Sequence, residues 1–196
     1  MGNLRLYGST SGYVEIAPPA VGSSQVLTLP TDSVQPGLVL VASQSFATAS
    51  SVSINSCFSA TYDNYLILIR CNSNSANANF YLRMRSGSSD YTTGNYQDQR
   101  FAVASTSTFP DRVAGQSQFR LGSVTTDGNF AAVDVFSPYV ATNTGIEVHS
   151  GYYQSTPEMF LMCGSLTVAN QFDGITVYPA SGTMTAGTIK IYGYRN

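Results

Sequence analysis

Tryptophan is missing from this sequence altogether, and histidine occurs once, at His149. A single histidine leaves a Ser-His-Asp hydrolase one base to use, and no Gly-x-Ser-x-Gly elbow accompanies it. The nearest string, Gly8-Ser9-Thr10-Ser11-Gly12, carries Thr10 at its centre. His149 therefore reads as a strand residue rather than a catalytic base. Charge is scarce too: Asp, Glu, Lys and Arg make up 10% of the chain, against about a quarter in an ordinary soluble domain. The basic residues are scattered apart from Arg83 and Arg85, and the net charge is −2, a poor footprint for a phosphate backbone. No nucleic-acid partner is expected. Glu15, Glu147 and Glu158 stand in unrelated contexts, so no carboxylate pair of the glycosidase kind is indicated.

Cys57, Cys71 and Cys163 include no close-spaced pair, which excludes a zinc ligand set and a disulfide framework read from spacing. Each lies among apolar or small residues and is expected to be a buried thiol. Asp127-Gly128-Asn129 and Asp63-Asn64 are ordinary turn sequences without EF-hand spacing, so no metal site is expected. No apolar run approaches the roughly 20 residues of a membrane span. The start of the chain lacks a basic-then-apolar leader, and synthesis in a host cytoplasm without Sec export is the expectation. These absences leave no catalytic, cofactor or metal residue to name and point away from an enzyme.

What the sequence does hold is short apolar pieces, 43% hydrophobic residues in all, separated by uncharged polar ones. Period-two alternation recurs along the chain, whereas helical periodicity is almost absent. Phe80-Tyr81-Leu82-Arg83-Met84-Arg85 alternates cleanly, so Phe80, Leu82 and Met84 should face the core and Arg83 and Arg85 the outside. The run Leu66-Ile67-Leu68-Ile69 fits a strand buried on both faces, with Leu66 and Leu68 in the core. Residues 64 to 85 read as a β-hairpin with a polar loop. Further strands are marked by 119–121, 133–136, 146–149, 159–168, 175–178 and 188–192, with turn residues such as Thr126-Asp127-Gly128-Asn129 and Asp173-Gly174 between them. The expected fold is all-β: an antiparallel β-sandwich over residues 38–196, jelly-roll-like by its number of strands.

Residues 1–37 differ. Their apolar positions, Leu4, Leu6, Tyr13, Val14, Ile16, Val26, Leu27 and Leu29, fall in short patches broken by Gly8-Ser9-Thr10-Ser11-Gly12, Pro18-Pro19 and Pro30. Prolines bar this segment from the middle of a regular sheet, and each patch is too small to bury itself. An extended N-terminal arm that packs on a sister subunit or another protein is the expectation, and these eight residues would carry trimerisation or anchoring.

The stretch from Gly12-Tyr13-Val14-Glu15-Ile16-Ala17-Pro18-Pro19-Ala20-Val21-Gly22-Ser23 to Leu27-Thr28-Leu29-Pro30 resembles a phrase common in virion proteins of tailed bacteriophages. Cys57-Phe58-Ser59-Ala60-Thr61-Tyr62-Asp63-Asn64-Tyr65 and Thr183-Met184-Thr185-Ala186-Gly187-Thr188-Ile189-Lys190-Ile191-Tyr192-Gly193 resemble recurrent elements of the same proteins. The resemblance touches the beginning, middle and end of the chain. It implies a non-enzymatic surface protein of the virion, a homotrimer with N-terminal strands wound about the threefold axis and the sandwich displayed outward. Other virion proteins, the capsid shell first, would then be its partners. A cement or short head fibre is the leading expectation. A receptor-binding tail-fibre tip or a carbohydrate-binding module is the alternative, in which Tyr91, Tyr96, Tyr152 and Tyr153, beside Asn and Asp, would face a host surface glycan.

Overall fold

A computed structural model describes residues 4–7, 13–16, 37–154 and 156–195. The chain divides into two compact units, Met1–Val34 and Gln35–Asn196. In the first, β1 (Leu4–Tyr7) and β2 (Tyr13–Ile16) form an antiparallel pair. Its register pairs Leu4 with Ile16, Arg5 with Glu15, Leu6 with Val14 and Tyr7 with Tyr13. Val26, Leu27 and Leu29 lie outside the described residues.

The second unit is a sandwich of two antiparallel sheets, as the alternation in the sequence led us to expect. Its strands are β3 (Leu38–Ala49), β4 (Val52–Ile54), β5 (Asn64–Asn74), β6 (Ala78–Ser86), β7 (Ser89–Asp90), β8 (Tyr96–Ala104), β9 (Ser107–Gln116), β10 (Phe119–Val124), β11 (Asn129–Phe136), β12 (Thr142–Tyr152), β13 (Glu158–Asn170), β14 (Gly174–Pro179) and β15 (Met184–Tyr194). The larger sheet has eight strands in the order β3-β15-β5-β11-β12-β13-β8-β9. The smaller has five, β10-β6-β14-β4 with β7 on β6. Among the described residues no helix is long and apolar enough to cross a membrane.

The core lies between the sheets. β6 contributes Phe80, Leu82 and Met84, all fully buried, with Arg83 and Arg85 on the other face. Across from them β5 contributes Tyr65, Ile67, Ile69 and Cys71. This corrects the expected burial of Leu66 and Leu68, which point away from the core: Leu66 is partly exposed and Leu68 is an exposed apolar residue. Period-two geometry allows only one parity inside, and the smaller sheet covers only one face of β5. Nor do β5 and β6 form a hairpin. β5 pairs with β11 and β15, whereas β6 pairs with β10 and β14, so the polar loop between them carries the chain from one sheet to the other. Two strands whose apolar faces meet across a core cannot also be hydrogen-bonded neighbours in one sheet.

Cys57 and Cys71 are buried free thiols, and burial raises their pKa to about 12 and about 11. Cys163 is free but exposed, against expectation. Its neighbour Met162 takes the inward position on β13, which leaves Cys163 on the outer face opposite Glu147 and Gln99.

Candidate functional site

The outer faces of the two sheets are finished in different ways. On the smaller sheet, polar side chains cover the strands and bond to one another. Arg85 donates to Asn55 Oδ1 at 2.8 Å and Thr176 Oγ1 at 2.7 Å, and pairs with Asp90. Arg83 lies 4.7 Å over the Tyr178 ring and donates to Gln118 Oε1 at 3.2 Å. Tyr178 in turn leans on Tyr81 with ring centroids 5.6 Å apart.

The outer face of the larger sheet carries an uncovered apolar belt. Alternation brings Leu68 of β5, Phe130 of β11, Met159 of β13 and Phe101 of β8 to that face, exposed by 39, 44, 47 and 39%. Leu68, Phe130 and Met159, with Leu161 and Val103, line an open groove of about 930 Å³, and Phe101 lies beside Leu161 in register. The belt crosses neighbouring strands from β5 to β8, about 19 Å at the usual strand spacing. Gly151 makes part of it possible: a Cβ there would come within 2.9 Å of the Phe130 ring, which sits directly opposite in register. Phe130 also packs on Tyr153 with centroids 5.1 Å apart. Charge borders the belt: Arg70 is beside Phe130 and Lys190 beside Leu68. An apolar centre with a charged rim is the layout of a protein interface. Covering the four exposed side chains would contribute roughly 2–6 kcal/mol per chain, since each is about half buried already.

The two end strands of that sheet differ in the same sense. The β9 edge carries Pro110, Asp111 and Arg112, residues that discourage another strand from pairing. β3, with Leu38, Leu40 and Val41 exposed, has no charged residue and no proline along its 12 residues. Such an edge invites a partner strand.

The residues expected to face a glycan are not brought together. Tyr96 is entirely buried; its hydroxyl accepts from the Met84 amide at 3.1 Å and donates to the Tyr91 carbonyl at 2.8 Å. Its inward place on β8 removes it from any ligand surface, and burial holds its phenol well above the ordinary range. Tyr91 is partly buried against Tyr96 and Phe172. Tyr152 and Tyr153 follow β12 to the sandwich rim, where Tyr152 is half-buried and Tyr153 exposed. Tyr65, in a stretch where alternation was not legible, is likewise a core residue.

The groups with chemical potential are dispersed. His149 lines the apolar groove, and its cross-strand neighbours Ala132 and Leu161 offer no acid or base. Glu147 faces Asp134 across β12 and β11, where Asp134 accepts from the Tyr194 hydroxyl at 2.5 Å. That bond, with burial, lifts the Tyr194 phenol to about 12. At the rim near β9, Asp98 sits 2.5 Å from Arg100, which also reaches Asp111 at 3.7 Å. Burial raises the Asp98 pKa despite that partner and lowers the Arg120 pKa, the latter also through the charge of Arg100. Arg120 is stacked 5.5 Å over Phe160, and the cluster reads as a structural charge network. Among the described residues no group of three or more His, Cys, Asp or Glu is placed to hold a metal ion. The Asp127-Gly128-Asn129 turn is held by Thr125, and Asn129 turns inward to donate to Ser123 and Gly151 carbonyls. Known protein families, characterised proteins and solved structures give no match to this chain.

Proposed function

We propose that this protein is a non-enzymatic structural component of a bacteriophage particle, a homotrimer that decorates the capsid and adds contacts between neighbouring shell subunits. One observation carries the reading: the larger sheet leaves an apolar belt around Leu68, Phe101, Phe130 and Met159 uncovered, while the smaller sheet is sealed by its own polar network. A lone globular chain rarely keeps such a face in water, and a subunit of an assembly covers it. The uncharged β3 edge supports the same conclusion, as does the arm, whose paired strands β1 and β2 are too few to be stable alone. The tailed-phage resemblance at residues 12–30 supplies the particle.

A component that binds only the assembled shell stabilises it by mass action, and many equivalent sites multiply the effect. Phage particles prepared without the protein should release DNA at lower temperature or milder osmotic shock and still adsorb to cells. Particles that stay robust but fail to adsorb would move the chain to receptor binding.

A further inference from the structure

Where the two sheets meet at one end of the sandwich there is a second groove, of about 360 Å³, lined by Ala78 and by the polar residues Asn77, Asn79, Ser123, Thr125, Tyr152 and Gln154. Its lining is opposite in character to the apolar belt: carboxamides, hydroxyls, one phenol ring and one methyl group, with no charged side chain among the described residues. We infer that this groove binds a neutral saccharide, a hexose or N-acetylhexosamine unit.

The walls come from both sheets and are tied together. Asn79 and Ser123 face each other across β6 and β10 in the smaller sheet, and Tyr152 ends β12 in the larger. The fully buried Asn129 joins the two sides, donating to the Ser123 carbonyl at 2.7 Å and the Gly151 carbonyl at 3.1 Å. Two of the three carboxamides, Asn77 and Asn79, are oriented before any ligand arrives. Asn77 accepts the Thr126 amide on its oxygen at 3.2 Å, which turns its amino group the other way. Asn79 donates to the Tyr81 hydroxyl at 3.2 Å, which turns its carbonyl oxygen the other way. A fixed donor and a fixed acceptor near one another suit adjacent sugar hydroxyls, each of which both donates and accepts. The half-buried Tyr152 ring supplies an apolar surface for the C–H face of a pyranose. The volume suits a small ligand site.

Charge selects within the sugars. The Tyr152 phenol is held above its ordinary pKa by burial and by the nearby negative charge of Glu158. An anionic sugar would meet the same field, while a neutral one would not. A single site of this openness should bind weakly, with a Kd on the order of 1 mM, and repeated copies would raise the effective affinity. The inference stands on the groove alone and is independent of the virion reading.

The test uses the purified full chain and saturation-transfer difference NMR with glucose, galactose, N-acetylglucosamine and, as the anionic probe, N-acetylneuraminic acid. The expected result is transfer to at least one neutral sugar, weakened roughly tenfold by Tyr152→Ala. The more peripheral Gln154→Ala should weaken it as well, and thermal melting of both variants checks that they remain folded. Transfer to the anionic sugar only, to no sugar, or to a neutral sugar undiminished in both folded variants would overturn the assignment.

Discussion

Two leucines, Leu82 and Leu68, give the most discriminating test of which faces are buried. Leu82 sits at the centre of β6, fully buried, with Phe119 of β10 on one side and Val177 of β14 on the other. Neighbours fixed in a hydrogen-bonded sheet cannot collapse into the space a truncation leaves, so Leu82→Ala should cost about 2–5 kcal/mol. For a domain of this size that lowers the melting temperature by about 4–20 °C. Leu68 is 39% exposed on the outer face of β5. Leu68→Ala removes less buried area and leaves no closed cavity, so it should cost about 1 kcal/mol or less within a single chain. Its effect should appear instead as weaker self-association. The assay is thermal unfolding followed by circular dichroism at matched protein concentration, with sedimentation velocity on the same samples. Equal destabilisation by the two substitutions, or a larger loss from Leu68→Ala with association unchanged, would refute the parity of β5 and the division between core and interface.

Gly128 has φ +96°, and a Cβ there would collide with the carbonyl oxygens of Cys71 and Asn72. Gly128→Ala should therefore destabilise by about 1–3 kcal/mol in urea unfolding, and a neutral result would show that the β10–β11 turn is misplaced. Asp98 has a folded pKa raised above the unfolded value of 3.8. The folded state then holds the extra proton, so the contribution of Asp98 to stability is full below the unfolded pKa and is lost as pH rises through the folded pKa. The stability difference between the natural chain and Asp98→Asn should shift against the natural chain over that window, and a flat or opposite trend in pH-dependent urea titrations would contradict the burial of Asp98.

Where alternation was strict, the sequence carried the structure: Phe80, Leu82 and Met84 are inside because Tyr81, Arg83 and Arg85 leave no other choice of parity. In β5 four consecutive apolar residues hide the period. The signal lay at the ends of the strand, since Arg70 shares parity with Leu66 and Leu68, and Tyr65 and Cys71 share it with Ile67 and Ile69. In the sequence the passage from β5 to β6 looks like a hairpin because polar loops look alike whether a chain turns within a sheet or crosses to the other. β9 was missed because Pro110, Asp111 and Arg112, which protect an edge, also mark loops. β3 gives little signal because its inward positions, Ala42, Phe46 and Ala49, are only partly buried and are not spaced two apart throughout.

The apolar belt could not be read from the sequence. Leu68, Phe101, Phe130 and Met159 belong to strands well separated along the chain, and only the sheet order makes them neighbours. The amide-rich groove is equally non-local: Asn77 and Tyr152 meet only because β6 and β12 end at the same rim. Tyr152 was visible in the sequence as an aromatic beside a polar loop, but its companions were not. The same signal misled at Tyr96, where a polar neighbourhood in sequence conceals a core position in space.

Counting the chain in purified phage particles tests most directly the proposal that it is a structural subunit of the shell. Quantitative mass spectrometry should find it in a copy number comparable with that of the major shell protein. Its absence from the particle would contradict the account, and a number comparable with that of a tail-tip protein would place it on the tail instead.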